Sequence, residues 1–333
     1  MGGGHGLSAS LAALRRLTGA LTAVVTVADD GGSSGVIRRQ LGTLPPGDLR
    51  MAVATLAGDG PDDARTAALF QHRFGGTGSL AGHPVGNLII TGLLEIFGQD
   101  PVAALAAAGR MVGMRGQVLP MSPLPLEIAA LVAGMDPDHP EDVRRIRGQV
   151  AVATTPGRVV SVGLVPAIPS ACPEAVEAIL TADAVVLGPG SWFSSVLPHV
   201  LVPDLLAALV ATDARIVVTL NLAPQPGETE DFSPQEHLDV LYRHAPGLAV
   251  DVVLADEAAV ADRRGLTDTV HARGARLVLA PLAAVDGTPR HDPVLLAEAL
   301  APLVEARGDQ ARHVGDRAGD TVMDEAGGTT PWR

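Results

Sequence analysis

The first residues whose types and spacing could bind a ligand are Gly2-Gly3-Gly4-His5-Gly6-Leu7-Ser8, which precede a helical pattern. Glycines that open a helix let phosphate groups approach backbone N–H groups at the positive end of the helix dipole. The next apolar run ends at Asp29, 25 residues after Gly4, close to the spacing at which Rossmann-type folds place an acidic residue on a ribose. The pattern predicts a phosphate loop, and a flexible start followed by a turn-capping Asp explains it equally well.

A second candidate is the acidic and hydroxyl-rich segment Asp29-Asp30-Gly31-Gly32-Ser33-Ser34-Gly35. Its adjacent carboxylates and hydroxyls can hold a metal ion or a substrate phosphate. The same composition also suits a solvated turn that caps a helix. The residues alone leave both interpretations open.

Two shorter motifs place polar side chains at predicted helix starts. In Pro45–Arg50, Asp48 can cap a helix and Arg50 can pair with a carboxylate or phosphate, although a simple turn is the commoner explanation of such a motif. In Gly82–Asn87, His83 and Asn87 open an apolar helix, where a lone His is more often structural than catalytic.

A second glycine loop, Gly188-Pro189-Gly190-Ser191-Trp192-Phe193-Ser194-Ser195, directly follows an apolar run. Asn221 likewise follows the run 215–220. Ligands of α/β folds bind at the carboxyl ends of parallel strands. We therefore expect 29–34, 188–195 and Asn221 to converge on one edge of the sheet.

The elements that must position these residues alternate between apolar runs and helical patterns. Continuous Val-rich runs suit strands buried on both faces of a parallel sheet, and helices between them indicate an α/β fold. Strands are predicted at 22–28, 150–153, 159–165, 184–188, 215–222, 249–254 and 275–280. Helices are predicted at 7–18, 61–74, 100–112, 173–182, 202–212, 233–244 and 292–306.

The remaining segments set the predicted boundaries. Residues 35–115 are predicted to form a helical insertion that the Pro-rich stretch 116–126 ends, and 134–148 to form a polar surface connection. Residues 307–333 are predicted to be a disordered tail. A phosphate loop is normally fed by a buried strand, so we expect an apolar run upstream of Met1 or a sheet without its first strand.

Composition excludes several functions. All 24 basic residues are Arg, so a Walker A loop and a pyridoxal phosphate Schiff base are excluded. A net charge of −13 and 2% aromatic residues disfavour nucleic acid and anionic membranes as partners. The single Cys forbids an internal disulfide, and with no typical leader or membrane helix we expect a cytoplasmic protein without membrane insertion.

Taken together, these motifs resemble the YvcK-type gluconeogenesis factors of the CofD-like superfamily, from Gly2 to about Asp292. The matching segments, in order, are GGGHGLS, TVADDGGSSG, PPGDLR, LFQHRF, GHPVGN, GPGSWFSSVLP and NLAPQPGET. The resemblance implies one Rossmann-like three-layer α/β domain over 1–306, with a mostly parallel sheet and the helical insertion. It also implies binding of UDP-sugars, notably UDP-N-acetylglucosamine, in support of cell shape, cell-wall precursor supply and growth on gluconeogenic carbon sources.

The resemblance also assigns residues to the site. The implied nucleotide-sugar-binding residues are Gly3, Gly4, His5, Gly6, Gly188, Gly190, Ser191, Ser194, Asn221 and Arg290. Other implied pocket residues are Ser33, Ser34, Asp48, Arg50, His83 and Asn87. Asp29 and Asp30 match the acidic pair that lies by the metal and acceptor in CofD-type enzymes. Family members often carry Thr where His5 stands.

Two functional hypotheses follow from the resemblance. The first is a UDP-sugar-binding regulator that requires no cofactor and catalyses no reaction. The second is a Mg²⁺-dependent CofD-type transferase that moves a phospholactyl-type group from a guanosine diphosphate donor to a deazaflavin alcohol, with Asp29 and Asp30 as catalytic and metal-binding residues. Either protein can be a homo-oligomer.

Overall fold

The apolar runs form most of the β-strands of the computed structural model, which describes residues 1–136, 138–139, 141–225, 228–230 and 232–305. The strands are β1 (Thr22–Val25), β2 (Gln117–Pro120), β3 (Glu127–Ala133), β4 (Val143–Arg147), β5 (Arg158–Val165), β6 (Ala184–Leu187), β7 (Arg215–Thr219), β8 (Val252–Asp256) and β9 (Arg276–Ala280).

Helices connect the strands, and many begin with Pro in the first turn, where the missing N–H group costs no hydrogen bond. They are α1 (Gly4–Leu14), α2 (Gly32–Leu41), α3 (Pro46–Thr55), α4 (Pro61–Gln71), α5 (Val85–Ile96), α6 (Pro101–Met111), α7 (Gln149–Ala153), α8 (Pro173–Leu180), α9 (Leu197–Val200), α10 (Pro203–Ala211), α11 (Pro234–His244), α12 (Arg263–His271) and α13 (Pro293–Val304). A π-helix, Trp192–Val196, leads directly into α9.

Parallel pairing dominates the sheets, as the sequence predicts. Strands β6, β7, β8 and β9 pair in that order, and every pair is parallel. Strands β1 and β2 form a second parallel pair, and helices α2 to α6 connect them. The segment 35–115, predicted as a helical insertion, is mostly helical and forms the crossover between these two neighbouring strands.

Two predicted segments are wrong in their local structure. Residues 150–153, predicted as a strand, lie in helix α7, which follows Gly148 in a conformation with φ of 99°. The stretch 134–148, predicted as a surface connection, contains strand β4. Strands β4, β3 and β5 form an antiparallel sheet, so the run 159–165 does not join the parallel one.

The core is aliphatic, as 2% aromatic residues require. Helices α1 and α13 pack on each other and on the parallel strands, through residues such as Leu14, Val217 and Leu300. Taken singly, no helix in the described ranges is long and apolar enough to cross a membrane, although the pair Trp192–Val200 and Pro203–Ala211, bent by 70°, meets the requirement together. The predicted tail 307–333 lies outside the described residues.

Candidate functional site

The two glycine loops touch at the start of helix α1. A Cβ atom at Gly6 would lie 2.6 Å from the Cα of Gly190 and would overlap the carbonyl oxygen of Pro189. The hydroxyl of Ser10 donates to the carbonyl oxygen of Gly188 over 2.9 Å. Because only glycine allows this approach, the N-terminus of α1 and the loop after β6 share one surface at the carboxyl edge of the sheet.

Asn221 holds the second loop in place. The N–H of Gly190 donates to Oδ1 of Asn221 over 2.9 Å, and Nδ2 of Asn221 donates to the carbonyl oxygen of Gly190 over 2.8 Å. The carboxamide of Asn221 thereby pairs with both backbone groups of Gly190, as the peptide groups of a neighbouring strand would. These bonds bring Asn221 and the loop together, as expected from their positions after β7 and β6.

Glu228, which was not predicted as a site residue, lies beside the hydroxyl groups of the same loop. The hydroxyl of Ser191 lies 2.6 Å from both carboxylate oxygens, and the hydroxyl of Ser194 lies 3.2 Å from one of them. Burial raises the pKa of Glu228, while bonds from Ser191 and from the N–H of Phe193 oppose the rise. Several donors of this loop are thus directed at an internal carboxylate.

A pair of carboxylates from separate motifs lies beside the first loop. A Cβ at Gly3 would come within 2.5 Å of Oδ2 of Asp48, and a Cβ at Gly47 would come within 2.8 Å of Oδ2 of Asp29. Burial and the charge of Asp29 raise the pKa of Asp48 to about 7, against a bond from the N–H of Gly4. The pKa of Asp29 is also raised, first by burial.

Asp30 faces a different direction from Asp29. Its Oδ1 accepts a hydrogen bond from the N–H of Val150 over 3.0 Å, at the start of α7. Gln149, beside it, donates through Nε2 to the hydroxyl of Ser194 over 3.3 Å. Helix α7 therefore bridges the acidic loop and the second glycine loop, which the strand prediction for this segment missed.

Four predicted pocket residues form one hydrogen-bonded chain. Arg50, which is 4% exposed, donates through Nε to Oδ1 of Asn87 over 3.0 Å. Asn87 donates to the hydroxyl of Ser33 over 2.9 Å, and that hydroxyl lies 2.8 Å from Nδ1 of His83. Burial lowers the pKa of Arg50 to about 10, so the guanidinium stays charged near Asp29 and Asp48.

Two predicted residues lie toward solvent. The side chain of His5 is exposed in the first turn of α1. Arg290 is exposed and pairs with Asp286 over 2.7 Å. The imidazole of His291, however, bonds to the backbone of Leu220, one residue before Asn221, so the loop that carries Arg290 lies at the same edge of the sheet.

This arrangement combines helix N-termini, clustered carboxylates and one buried cation. In the described part of the chain, no group of three His, Cys, Asp or Glu side chains could hold a metal ion by itself. Mg²⁺ often needs only one or two carboxylates when substrate phosphates complete its shell, and Asp29 with Asp48 fits that requirement. Chemically, the site can bind a phosphorylated ligand and hold or accept a proton.

Comparisons with known proteins give one consistent set of relatives. The model of a family described as 2-phospho-L-lactate transferase CofD matches residues 1–278. A "Putative gluconeogenesis factor" of Mycobacterium tuberculosis (strain ATCC 25618 / H37Rv) is 55% identical over 303 residues, covering 90% of this chain and 88% of that protein. A "Gluconeogenesis factor" of Listeria monocytogenes is 36% identical over 260 residues, covering 78% and 77% of the two chains.

A solved structure supports the same relationship. The crystal structure of a UPF0052 family member from Bacillus halodurans, at 2.60 Å resolution, is 32% identical to this chain. It superposes with a TM-score of 0.79 and covers 90% of this chain and 96% of that one. The fold and the sequence therefore point to the same group of proteins.

Proposed function

This chain belongs to the CofD family, and from that premise we propose that it binds a UDP-sugar, UDP-N-acetylglucosamine, at the start of α1. In this proposal it is a regulator that supports cell shape, cell-wall precursor supply and growth on gluconeogenic carbon sources, and it needs no cofactor. Its relatives are named gluconeogenesis factors, which supports a role in gluconeogenesis. In this proposal the protein is cytoplasmic, and its net charge of −13 disfavours a nucleic-acid partner.

The contact between Gly6 and the Pro189–Gly190 segment is the observation that carries the proposal. Gly4 and Gly6 carry no side chain in the first turn of α1, and a Cβ at Gly4 would meet nothing within 4 Å, so a diphosphate can approach N–H groups at the positive end of the helix without a lysine. The second glycine loop offers the ligand fewer free side-chain donors than the sequence suggests, because the hydroxyls of Ser191 and Ser194 already donate to Glu228. In the proposed complex Arg290 leaves Asp286 and contacts a phosphate.

Calorimetry with UDP-N-acetylglucosamine, GDP and NAD, with and without Mg²⁺, tests the ligand. We expect the uridine nucleotide to bind most tightly, and equal affinity for UDP-N-acetylglucosamine and GDP would contradict the proposal. Arg290→Ala should weaken binding by roughly 1.5–3 kcal/mol, the range for a hydrogen bond to a charged group. Arg65→Ala, which removes an exposed arginine paired with Asp62, is the control and should leave binding unchanged.

A second candidate is a CofD-type transferase, favoured by the family description and by the carboxylate pair. When bound, Mg²⁺ would neutralise phosphate charge, held by Asp29 and either Asp30 or Asp48. Because its pKa is about 7, Asp48 can accept a proton from an acceptor hydroxyl near neutral pH.

The double variant Asp29→Asn, Asp30→Asn tests this candidate. It should abolish Mg²⁺-dependent transfer while leaving the thermal midpoint and UDP-sugar binding largely intact. Undiminished transfer would exclude a catalytic role for the pair. Unfolding of the variant would instead assign Asp29 and Asp30 a structural role.

A further inference from the structure

The antiparallel sheet β4-β3-β5 has two edges that differ. At the edge formed by β5, Nε2 of His244 accepts a hydrogen bond from the N–H of Val162 over 3.3 Å, so a side chain of α11 covers part of this edge. At the other edge, every residue of β4 except Ile146 is exposed. An exposed edge strand offers unpaired backbone groups to another chain.

The ladder between β3 and β4 determines which backbone groups of β4 face outward. The N–H of Gly148 donates to the carbonyl oxygen of Ile128 over 2.8 Å, and bonded pairs alternate along an antiparallel ladder. The even-numbered residues of β4 therefore bond to β3, and the odd-numbered residues direct their N–H and carbonyl groups away from it. In the ranges that the structure describes, no backbone hydrogen bond reaches the outward groups of Val143 and Arg145.

The segment at the start of this edge is a palindrome in charge. Residues 141–145 read Glu-Asp-Val-Arg-Arg, with two acids before the valine and two bases after it. All five are exposed, and Val143 exposes 53% of its surface. Arg144 pairs with Asp136 over 2.9 Å. Among the described residues no ion pair involves the other three charged residues of the segment: Glu141, Asp142 and Arg145.

A second copy of this segment matches its charges. When two antiparallel segments are centred on Val143, the two valines lie opposite each other. Glu141 then faces the partner's Arg145 on one side of the sheet, and Asp142 faces the partner's Arg144 on the other. Directly opposed cross-strand pairs are stabilised by opposite charges and destabilised by like charges. A uniformly acidic or basic strand from another protein would meet like charges in one half of the segment.

The backbone is compatible with the same register. Because the odd-numbered residues of β4 direct their backbone groups outward, a strand bonded to this edge must place its own outward-facing residues opposite them. Centring on Val143 does so, and the two valines exchange both backbone hydrogen bonds. Centring on Arg144 or on Arg145 would place an arginine opposite its own copy, which like-charge repulsion disfavours.

We propose that two copies of this chain pair through β4 about a twofold axis at Val143, which joins their sheets in the order β5-β3-β4-β4-β3-β5. In the dimer Glu141 and Asp142 extend β4 by two residues. Two short strands bury less area than a permanent dimer does, so we expect a weak dimer whose population depends on concentration.

The overall charge of the protein does not prevent this contact. Each chain carries a net charge of −13, so two copies repel each other at long range. At physiological salt this repulsion is screened beyond about 8 Å, whereas facing residues of paired strands lie about 5 Å apart. The charges that decide the pairing are therefore those of the segment itself.

Three variants test the proposal by charge exchange. The first, Glu141→Arg with Asp142→Arg, makes all four charges of the segment positive. The second, Arg144→Glu with Arg145→Glu, makes them all negative. The third carries all four substitutions, so it reverses the palindrome and leaves the net charge unchanged. Sedimentation velocity from about 1 to about 200 μM measures the association of each chain, and circular dichroism checks that each is folded.

We expect the parent and the third variant to form dimers, and the first and second variants to stay monomeric. An equimolar mixture of the first and second variants should form a heterodimer, because their segments then carry opposite charges. In the parent, exchange of the outward Val143 and Arg145 amides should slow at least about threefold from the lowest to the highest concentration. Exchange of the Arg144 and Ile146 amides, which bond to β3, should change little.

The proposal is overturned if the parent stays monomeric over this concentration range. It is also overturned if the first and second variants dimerise as strongly as the parent, because the contact would then lie elsewhere. Should these variants fail to fold, Val143→Pro replaces them, since it removes an outward N–H group that β3 does not use. This variant should be monomeric, and a dimer that survives the substitution contradicts the proposal.

Discussion

Replacing Asp48 by asparagine should stabilise the protein, by an amount that grows with pH. The carboxyl group has a pKa of about 7 in the folded state, raised from an ordinary 3.8 by burial and by the charge of Asp29. Between these values the folded state keeps a proton that the unfolded state releases, so the free energy of unfolding falls as pH rises. The difference between these two pKa values, at about 1.4 kcal/mol per pH unit, corresponds to about 4 kcal/mol of unfolding free energy.

The carboxamide of asparagine stays neutral and can still accept from the N–H of Gly4. We therefore expect Asp48→Asn to exceed the parent in free energy of unfolding by about 4 kcal/mol at pH 8 and by about 2 kcal/mol at pH 5. Urea unfolding at both pH values measures the difference. The control is Asp62→Asn, which also lies in the first turn of a helix that starts with Pro but is exposed. An equal gain at both pH values, or no gain at pH 8, would refute the electrostatic reasoning.

Two further changes probe the contacts between the loops. Gly6→Ala forces a Cβ against Pro189, so it should lower the free energy of unfolding by roughly 1–3 kcal/mol and weaken UDP-sugar binding. The control Gly92→Ala places its Cβ in open space on α5 and should not destabilise the protein. Denaturant titration compares the stabilities of the two variants, and calorimetry compares their binding. Glu228→Ala should cost roughly 1–3 kcal/mol because it leaves the hydroxyls of Ser191 and Ser194 without their acceptor, and Glu228→Gln should recover much of that loss. Equal costs for Ala and Gln would show that a neutral acceptor of the same shape cannot replace the carboxylate, and would contradict this hydrogen-bond argument.

Local sequence patterns were enough to predict the elements whose structure does not depend on contacts with distant residues. The Val-rich runs identified β1 and β6 to β9, because strands buried on both faces need no polar alternation. The motifs after β1, β6 and β7 could be placed on one edge for a topological reason, since parallel strands end on the same side. Asn221 and Gly190 met as expected on that ground alone.

Tertiary context decided the rest. Residues 149–153 read QVAVA, a strand by propensity, yet they form a short helix whose first residues bond to Asp30 and Ser194. Strand β4 reads VRRIR and looked like a surface connection, because an exposed edge strand carries charged side chains. The pairing of Asp29 with Asp48 joins residues 19 positions apart in different motifs, and no local pattern indicates it.

The contact between Gly6 and Gly190 also couples the start of α1 to the loop after β6 mechanically. Ser10 bonds to Gly188 from the same helix, and Asn221 holds Gly190 from the other side. A ligand that restrains one of the two loops therefore restrains the other, so its binding should slow hydrogen exchange in both segments together.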